Sequence, residues 1–272
     1  MFEFLINKLK AHPRKIVFTE GTDPRVLEAS ARLLSGTFLT PVLVGDPEEI
    51  QKVAEEIGFN IRGAEIINPA TFEDMEKMVA ELTALRAACD AHGLYLYLDG
   101  ARLAQALTAA GNDLRPEDLP QLCDAFYIGG TKNGLLFGEA MVIVNDALKP
   151  GFRRAMKRSG AMLAKGRLLG VQFAAALEQD LWLDMGRHAN TQAQRIAAAL
   201  SNLGVPMYVP SPTNQIFPIL PDDQIARLQE RVAFHTNTRV DETHQAVRFV
   251  TSWATTDTQV DALLAVLNEV LG

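Results

Sequence analysis

The run Asp124-Ala-Phe-Tyr-Ile-Gly-Gly-Thr-Lys-Asn-Gly134 governs how the rest of this chain is read. Ala125 to Ile128 is a short apolar stretch of the kind that forms a buried strand, and Gly129, Gly130, Thr131, Lys132 and Gly134 follow it. A lysine held close to a ligand there, and partly desolvated, keeps a useful neutral fraction and attacks carbonyl carbon. Lys132 is therefore a Schiff-base candidate. A solvated loop lysine after a buried strand reads the same way, so the neighbours must discriminate.

Upstream, short β-rich runs alternate with amphipathic helices: Lys15 to Phe18, helix Pro24 to Leu34, Pro41 to Val44, helix Pro47 to Ile57, and Ala64 to Ile67. A long helix follows. Thr71 is its candidate N-cap and His92-Gly93 its end, and Phe72, Met75, Met78, Val79, Leu82, Leu85 and Cys89 fall at helical spacing between them. Strands are expected at Leu94 to Leu98, Ala125 to Ile128 and Ala140 to Val144, with a helix at Ala101 to Ala110. This rhythm predicts an α/β fold with a mostly parallel sheet of about six strands and helices on both faces. Beyond Pro150 the pattern is helical from Phe152 to Leu203, broken near Gly166 and Gly170. A smaller α+β tail closes the chain: a strand pair at Pro206 to Val209 and Gln215 to Leu220, helix Asp222 to Phe234, strand Ala246 to Thr251 and helix Thr258 to Leu271.

With 272 residues, 48% of them hydrophobic, the chain has material for a large core. A net charge of -7 with the signs interspersed argues against a nucleic-acid or membrane surface. Cys89 and Cys123 have no metal-ligand spacing, and a reducing cytoplasm suits them. Met1 to His12 reads as an amphipathic helix and not as a signal peptide. His12, His92, His188, His235 and His244 find no triad or metal partner at a recognisable spacing, and solvated roles are expected for all five.

Leu94-Tyr-Leu-Tyr-Leu-Asp-Gly-Ala-Arg102 reads as a buried strand ending in an acid, and ligands of parallel sheets sit beyond such ends. One crossover separates Asp99 from Lys132 and would return both to the same sheet edge. A carboxylate facing a pyridine nitrogen keeps it protonated, so the pair points to pyridoxal phosphate. A plain Asp-Gly turn or cap is the other reading. Thr131 offers a hydroxyl to a phosphate, and Arg102 and Arg248 are candidate clamps for a carboxylate. Arg248 interrupts an apolar strand, where a cation either faces a partner inside or turns to water at an edge.

From about residue 82 onward the chain resembles low-specificity threonine aldolases of pyridoxal phosphate fold type I. The runs that carry this are Leu96 to Leu103, Ala125 to Lys132, Leu136-Phe-Gly-Glu-Ala140, Leu163 to Gly170, Thr213-Asn-Gln-Ile-Phe217 and Val247 to Trp253. The resemblance implies retro-aldol cleavage of a β-hydroxy-α-amino acid to glycine and an aldehyde, with an amino acid as small-molecule substrate and a homo-oligomeric assembly. It implies that Lys132 carries the cofactor, Asp99 meets its ring nitrogen, Thr131 helps bind it, and Arg102 with Arg248 hold the substrate carboxylate.

Residues 1–82 are instead similar to the amino-terminal segment of phosphate acetyltransferases, in the runs Lys15 to Leu27, Pro41 to Gly45 and Glu65 to Ala70. The seam falls inside the long helix. The expected organisation is thus 1–82 acetyltransferase-like, 83–165 the second half of a cofactor-binding domain, and 166–272 bridging helices with a small domain. The aldolase family's phosphate cup and ring-stacking histidine belong to the part that residues 1–82 replace. A chimeric scaffold without catalysis and an acyltransferase are the competing expectations. In residues 20–23, Glu-Gly-Thr-Asp either binds an anion at a helix start or is a plain turn.

Overall fold

The computed structural model describes residues 14–18, 21–36, 39–67 and 78–272. The chain divides into two units, Met1–Tyr97 with Pro120–Asp124 and Leu98–Leu119 with Ala125–Gly272. Elements are numbered in chain order as they are introduced. The expected helix over Met1 to His12 and the capped start at Thr71 lie outside the described residues.

In the first unit β1 (Arg14–Phe18), β2 (Leu39–Val44) and β3 (Glu65–Ile67) form a parallel sheet in that order, with Val17 opposite Val42 and Leu43 opposite Ile66. Helices α1 (Pro24–Gly36) and α2 (Pro47–Glu56) supply the crossovers that parallel pairing requires. α2 starts where it does because Asp46 accepts from the Glu48 and Glu49 amides at 3.0 Å, ahead of a proline with the right φ for a first turn. Leu27, Leu43, Ile50 and Ala54, all fully buried, and Ile61 fill the core between helices and sheet. At the start of α1 the Asp23 carboxylate accepts from the Arg25 amide at 2.7 Å and from its guanidinium. The hydrogen bond to the Arg25 side chain holds Asp23 below the usual carboxylate range. A carboxylate already seated there disfavours a second anion, so the turn reading prevails over the anion site.

Helix α3 spans Met78–Ala91, within the stretch where the seam is expected. Arg86 fixes it: the guanidinium donates to Asp124 at 2.5 Å, to Asp90 at 2.6 Å and to the Leu94 carbonyl at 3.2 Å. Asp124 also accepts from the Leu96 amide at 2.6 Å. Asp124 directly precedes the strand that leads to Lys132, so this ion pair closes the first unit at the point where the site strand begins.

In the second unit β5 (Ala125–Gly129) pairs antiparallel with β6 (Glu139–Ile143), Ala125 opposite Ile143 and Gly129 opposite Glu139. β4 (Tyr97–Leu98) is where the chain passes from one unit to the other. The tail is built on β10 (His244–Val250), which takes β7 (Gln215–Ile216), β8 (Ile219–Pro221) and β9 (His235–Arg239) as antiparallel partners. Against it pack α7 (Leu181–Asn202), α8 (Asp222–Gln229) and α9 (Asp257–Leu271) through Ile196, Leu200, Leu228, Val247 and Leu267. α9 opens on a capping box: Thr256 Oγ1 accepts from the Gln259 amide and Gln259 Oε1 from the Thr256 amide.

Several expectations need correction. The first six strands divide into two three-stranded sheets, and the second is mixed, because the turn after Gly129 sends β6 back as a hairpin partner. Between α5 (Phe152–Arg158) and α6 (Arg167–Leu177) the break ends at Gly166, and Gly170 is an ordinary helical residue. A second break comes at Gln179 and Asp180, both at positive φ, which nothing in their residue type announces. The helix expected to reach Phe234 stops at Gln229, and β9, His-Thr-Asn-Thr-Arg, is too polar for an apolar pattern to reveal. His188 is half-buried, with Nε2 2.7 Å from the Thr255 carbonyl, and is not a solvated residue.

Substituting Asp124 by alanine leaves Arg86 largely dehydrated with fewer partners and is expected to lower stability by about 3 kcal/mol in urea unfolding. Asp90→Ala, on the exposed side of the same guanidinium, is expected to cost less than about 1 kcal/mol. Equal costs for the two would contradict the assignment of Asp124 as the principal partner.

Candidate functional site

Asp99 and Ala101 lie against the end of β5. The Gly129 amide donates to the Gly100 carbonyl at 3.0 Å, and a Cβ on Gly129 would sit 2.6 Å from the Ala101 carbonyl oxygen, so no larger residue fits that approach. Asp99 Oδ1 accepts from the Tyr127 hydroxyl at 2.5 Å and from the Ala101 amide at 3.0 Å. The carboxylate is exposed and its orientation is fixed by those two donors. The strand-end acid and the strand leading to Lys132 therefore share one edge, as the crossover reading expects.

Thr131, Lys132, Asn133 and Gly134 form the turn after β5. Thr131 and Lys132 are exposed. The turn is closed by the Asn133 amide on the Gly130 carbonyl at 2.9 Å and the Leu135 amide on the same oxygen at 3.1 Å, while the Gly130 amide donates to Glu139 at 2.8 Å. Gly134 has φ +90°, where a side chain is strained, and faces Met185 and Trp253. Between the two exposed residues and that glycine, Asn133 points inward and is 1% exposed.

Arg102 is the residue before α4 (Leu103–Leu107), and Arg248 sits in β10 opposite His235. Both line a cavity of about 770 Å³, with His235, Thr251, Thr255 and Gln259 among its other walls. Burial, and then the like charge of Arg248, holds Arg102 below the usual guanidinium range, with Asp99 acting the other way. Arg248 Nε is buried with no hydrogen-bond partner. Arg248 is thus an inward-facing cation in the central strand of its sheet, and the edge-strand reading fails. Two guanidiniums facing one cavity, one with an unused buried donor, form a site for an anion able to accept from both.

Of the five residues singled out from the sequence, Asp99, Arg102 and Arg248 interact electrostatically. Among the described residues, Lys132 and Thr131 do not line the arginine cavity; they stand on the turn of the neighbouring strand. Sequence reasoning missed Tyr127, Asn133 and Gln105. A tyrosine in an apolar strand needs a partner for its hydroxyl, which was a usable signal for Tyr127. For Asn133 and Gln105 the pattern gives none, because a turn asparagine and a helical glutamine are normally solvated.

Two family models match the chain: β-eliminating lyase over residues 77–222, more than half of its length, and phosphate acetyl/butaryl transferase over residues 1–92. The chain is 32% identical over 193 residues to the low specificity L-threonine aldolase of Pseudomonas aeruginosa, an alignment covering 71% of this chain and 55% of that enzyme. It is 38% identical over 79 residues to the phosphate acetyltransferase of Bacillus subtilis, which covers 29% of this chain and 24% of that enzyme. Among solved structures, a threonine aldolase of Leishmania major superposes with a TM-score of 0.78 at 33% identity, covering 98% of this chain and 82% of that one. The chain spans about half the length of the curated aldolases it matches. Fold type I and the two-part composition follow from these likenesses, the two family models overlapping at residues 77–92.

A small carboxylate such as acetate, added at millimolar concentration, is expected to raise the thermal midpoint of the full chain by occupying the Arg102–Arg248 cavity. The shift should vanish in Arg248→Ala, and an equal shift in that variant would show that the anion binds elsewhere.

Proposed function

The chain belongs to the β-eliminating lyase family, and on that footing we propose that it is a threonine aldolase-like lyase dependent on pyridoxal phosphate. Its reaction would be the cleavage of a β-hydroxy-α-amino acid to glycine and an aldehyde. The observation that carries this reading is the common strand edge: an acid fixed by Tyr127 and Ala101 beside β5, and a lysine on the turn that β5 feeds. The division at residue 82, with cofactor-binding residues 83–165 and bridging helices and small domain in 166–272, is part of the same proposal.

The residues suit the cofactor in three respects. Lys132 has an amine to hold its aldehyde carbon, Asp99 has a carboxylate to meet a ring nitrogen, and the orphaned Arg248 Nε supplies a buried donor for an anion. Thr131 would contribute a hydroxyl to the phosphate end. When bound, the cofactor supplies a sink for the electron pair released as the Cα–Cβ bond breaks.

The remaining work falls to the chain. The Tyr127 hydroxyl and the Ala101 amide both donate to Asp99 and would hold its carboxylate in place to meet the ring nitrogen. Arg102 and Arg248, which line one cavity, would hold the substrate carboxylate and so orient the substrate. Lys132 would hold the cofactor and, when its amine is free, would be the group available to carry a proton.

A homo-oligomer and a cytoplasmic location are included in the proposal. No helix among the described residues is long and apolar enough to cross a membrane.

Titration of the full chain with pyridoxal phosphate should produce a visible absorption band that Lys132→Ala abolishes, and glycine with acetaldehyde should appear from threonine. Arg248→Ala is expected to raise KM by about ten- to a hundredfold through loss of a charge-assisted contact of about 1.5–3 kcal/mol. No band at millimolar cofactor would overturn the lyase reading in favour of a scaffold, and acetyl phosphate formed from acetyl-coenzyme A would favour the acyltransferase.

A further inference from the structure

Lys132 lies on an exposed turn, and a four-carbon side chain on a loose turn has no defined direction. What fixes the backbone beneath it is the next residue. Asn133 Nδ2 donates to the Trp182 carbonyl at 2.7 Å, and its Oδ1 accepts from Gln105 Nε2 at 3.0 Å. Gln105 is itself fully buried in α4, and its carbonyl accepts from Asn190 Nδ2 at 2.8 Å. A chain of amides thus ties the lysine turn to the first turn of α7 at Trp182, to α4, which follows Arg102 directly, and through Asn190 to the middle of α7.

This arrangement is a poor way to gain stability. Gln105 Oε1 and Asn190 Oδ1 are both buried without a hydrogen-bond partner, and a partly satisfied polar network is less stable than apolar packing of the same volume. What three buried amides do achieve is a defined register between elements: Gln105 Nε2 reaches Asn133 Oδ1, Asn133 Nδ2 reaches the Trp182 carbonyl, and Asn190 Nδ2 reaches the Gln105 carbonyl and Thr108 Oγ1 of the same helix segment. The next residue, Gly134, holds φ +90°, a backbone conformation in which a residue with a side chain would be strained.

We infer that Asn133 is the positioning residue of Lys132, holding the turn so that the lysine amine and the Asp99–Arg102 segment keep a fixed relation through Gln105. This rests on the reading of Lys132 as the amine that binds the cofactor. It assigns to Asn133 no contact with substrate or cofactor. Its role is exerted on the lysine backbone.

The test compares the full chain with Asn133→Ala, Gln105→Ala and the double variant. In both single variants, backbone hydrogen exchange at residues 131–135 should quicken at least tenfold while α1 and α2 exchange as before. The pyridoxal phosphate concentration that gives half the Lys132 absorption band should rise at least tenfold, and the double variant should lose no more than Asn133→Ala alone. Unchanged exchange in the turn would overturn the inference. So would faster exchange with an unchanged cofactor midpoint, which is the mark of a purely structural asparagine, and so would additive losses in the double variant. A parent chain that shows no band defeats the reading of Lys132, whereas the exchange rates still decide whether Asn133 holds the turn. Should Asn133→Ala not fold, Gln105→Ala, which removes only the donor to Asn133 Oδ1, is judged on the same criteria.

Discussion

The hydrogen bond between Gln105 and Asn133, two side chains that water does not reach, is the constraint on which the candidate site depends. On one side of it stands α4, preceded by Asp99 and Arg102; on the other stands the turn that carries Thr131 and Lys132. A buried amide pair has a large penalty for slipping, since each partner would be left desolvated and unbonded at a cost of about 1–3 kcal/mol apiece. A close approach of backbone adds to this. The Gly129 amide on the Gly100 carbonyl and the absence of room for a Cβ at Gly129 bring β5 against the Asp99 segment as closely as chains can pack.

Much of this was legible in the sequence because it follows from residue type. The strand before Lys132 announced itself by its apolar aromatic run and α2 by its amphipathic run from Pro47, while α9, expected from Thr258, begins one residue earlier behind its Thr256 cap. The crossover put Asp99 beside the strand that leads to Lys132, and Tyr127 and Gly129 of that strand hydrogen-bond Asp99 and Gly100. The rest depended on information that a linear pattern does not hold. Arg248 is as consistent with an edge strand as with a central one until β7, β8 and β9 are seen around β10. β9 is polar because it is exposed along nearly its whole length, so no alternation marks it. Asn133 and Gln105 look solvated in sequence and are buried because they satisfy each other, a pairing of residues 28 apart that only tertiary structure reveals.

The two-part origin of the chain sharpens the chemical question. The acetyltransferase-like unit has its own small core around Leu27, Leu43 and Ile50, with a parallel sheet and a well-capped helix. It closes through the ion pair of Arg86 and Asp124, of which Arg86 lies in the overlap of the two family matches. Lys132, Asp99, Arg102 and Arg248 all belong to the second unit. On the proposed reading, cofactor affinity would rest on Lys132, Asp99 and Thr131, and each lost charge-assisted contact would weaken it by about 1.5–3 kcal/mol.

The most direct measurement is peptide mapping by mass spectrometry after the full chain is mixed with pyridoxal phosphate and reduced with borohydride, which fixes the cofactor to whichever amine has bound it. The account predicts that the label sits on the peptide containing Lys132 at cofactor concentrations that leave Lys149, Lys157 and Lys165 unmodified. Label spread evenly over exposed lysines, with no preference for Lys132, would contradict it.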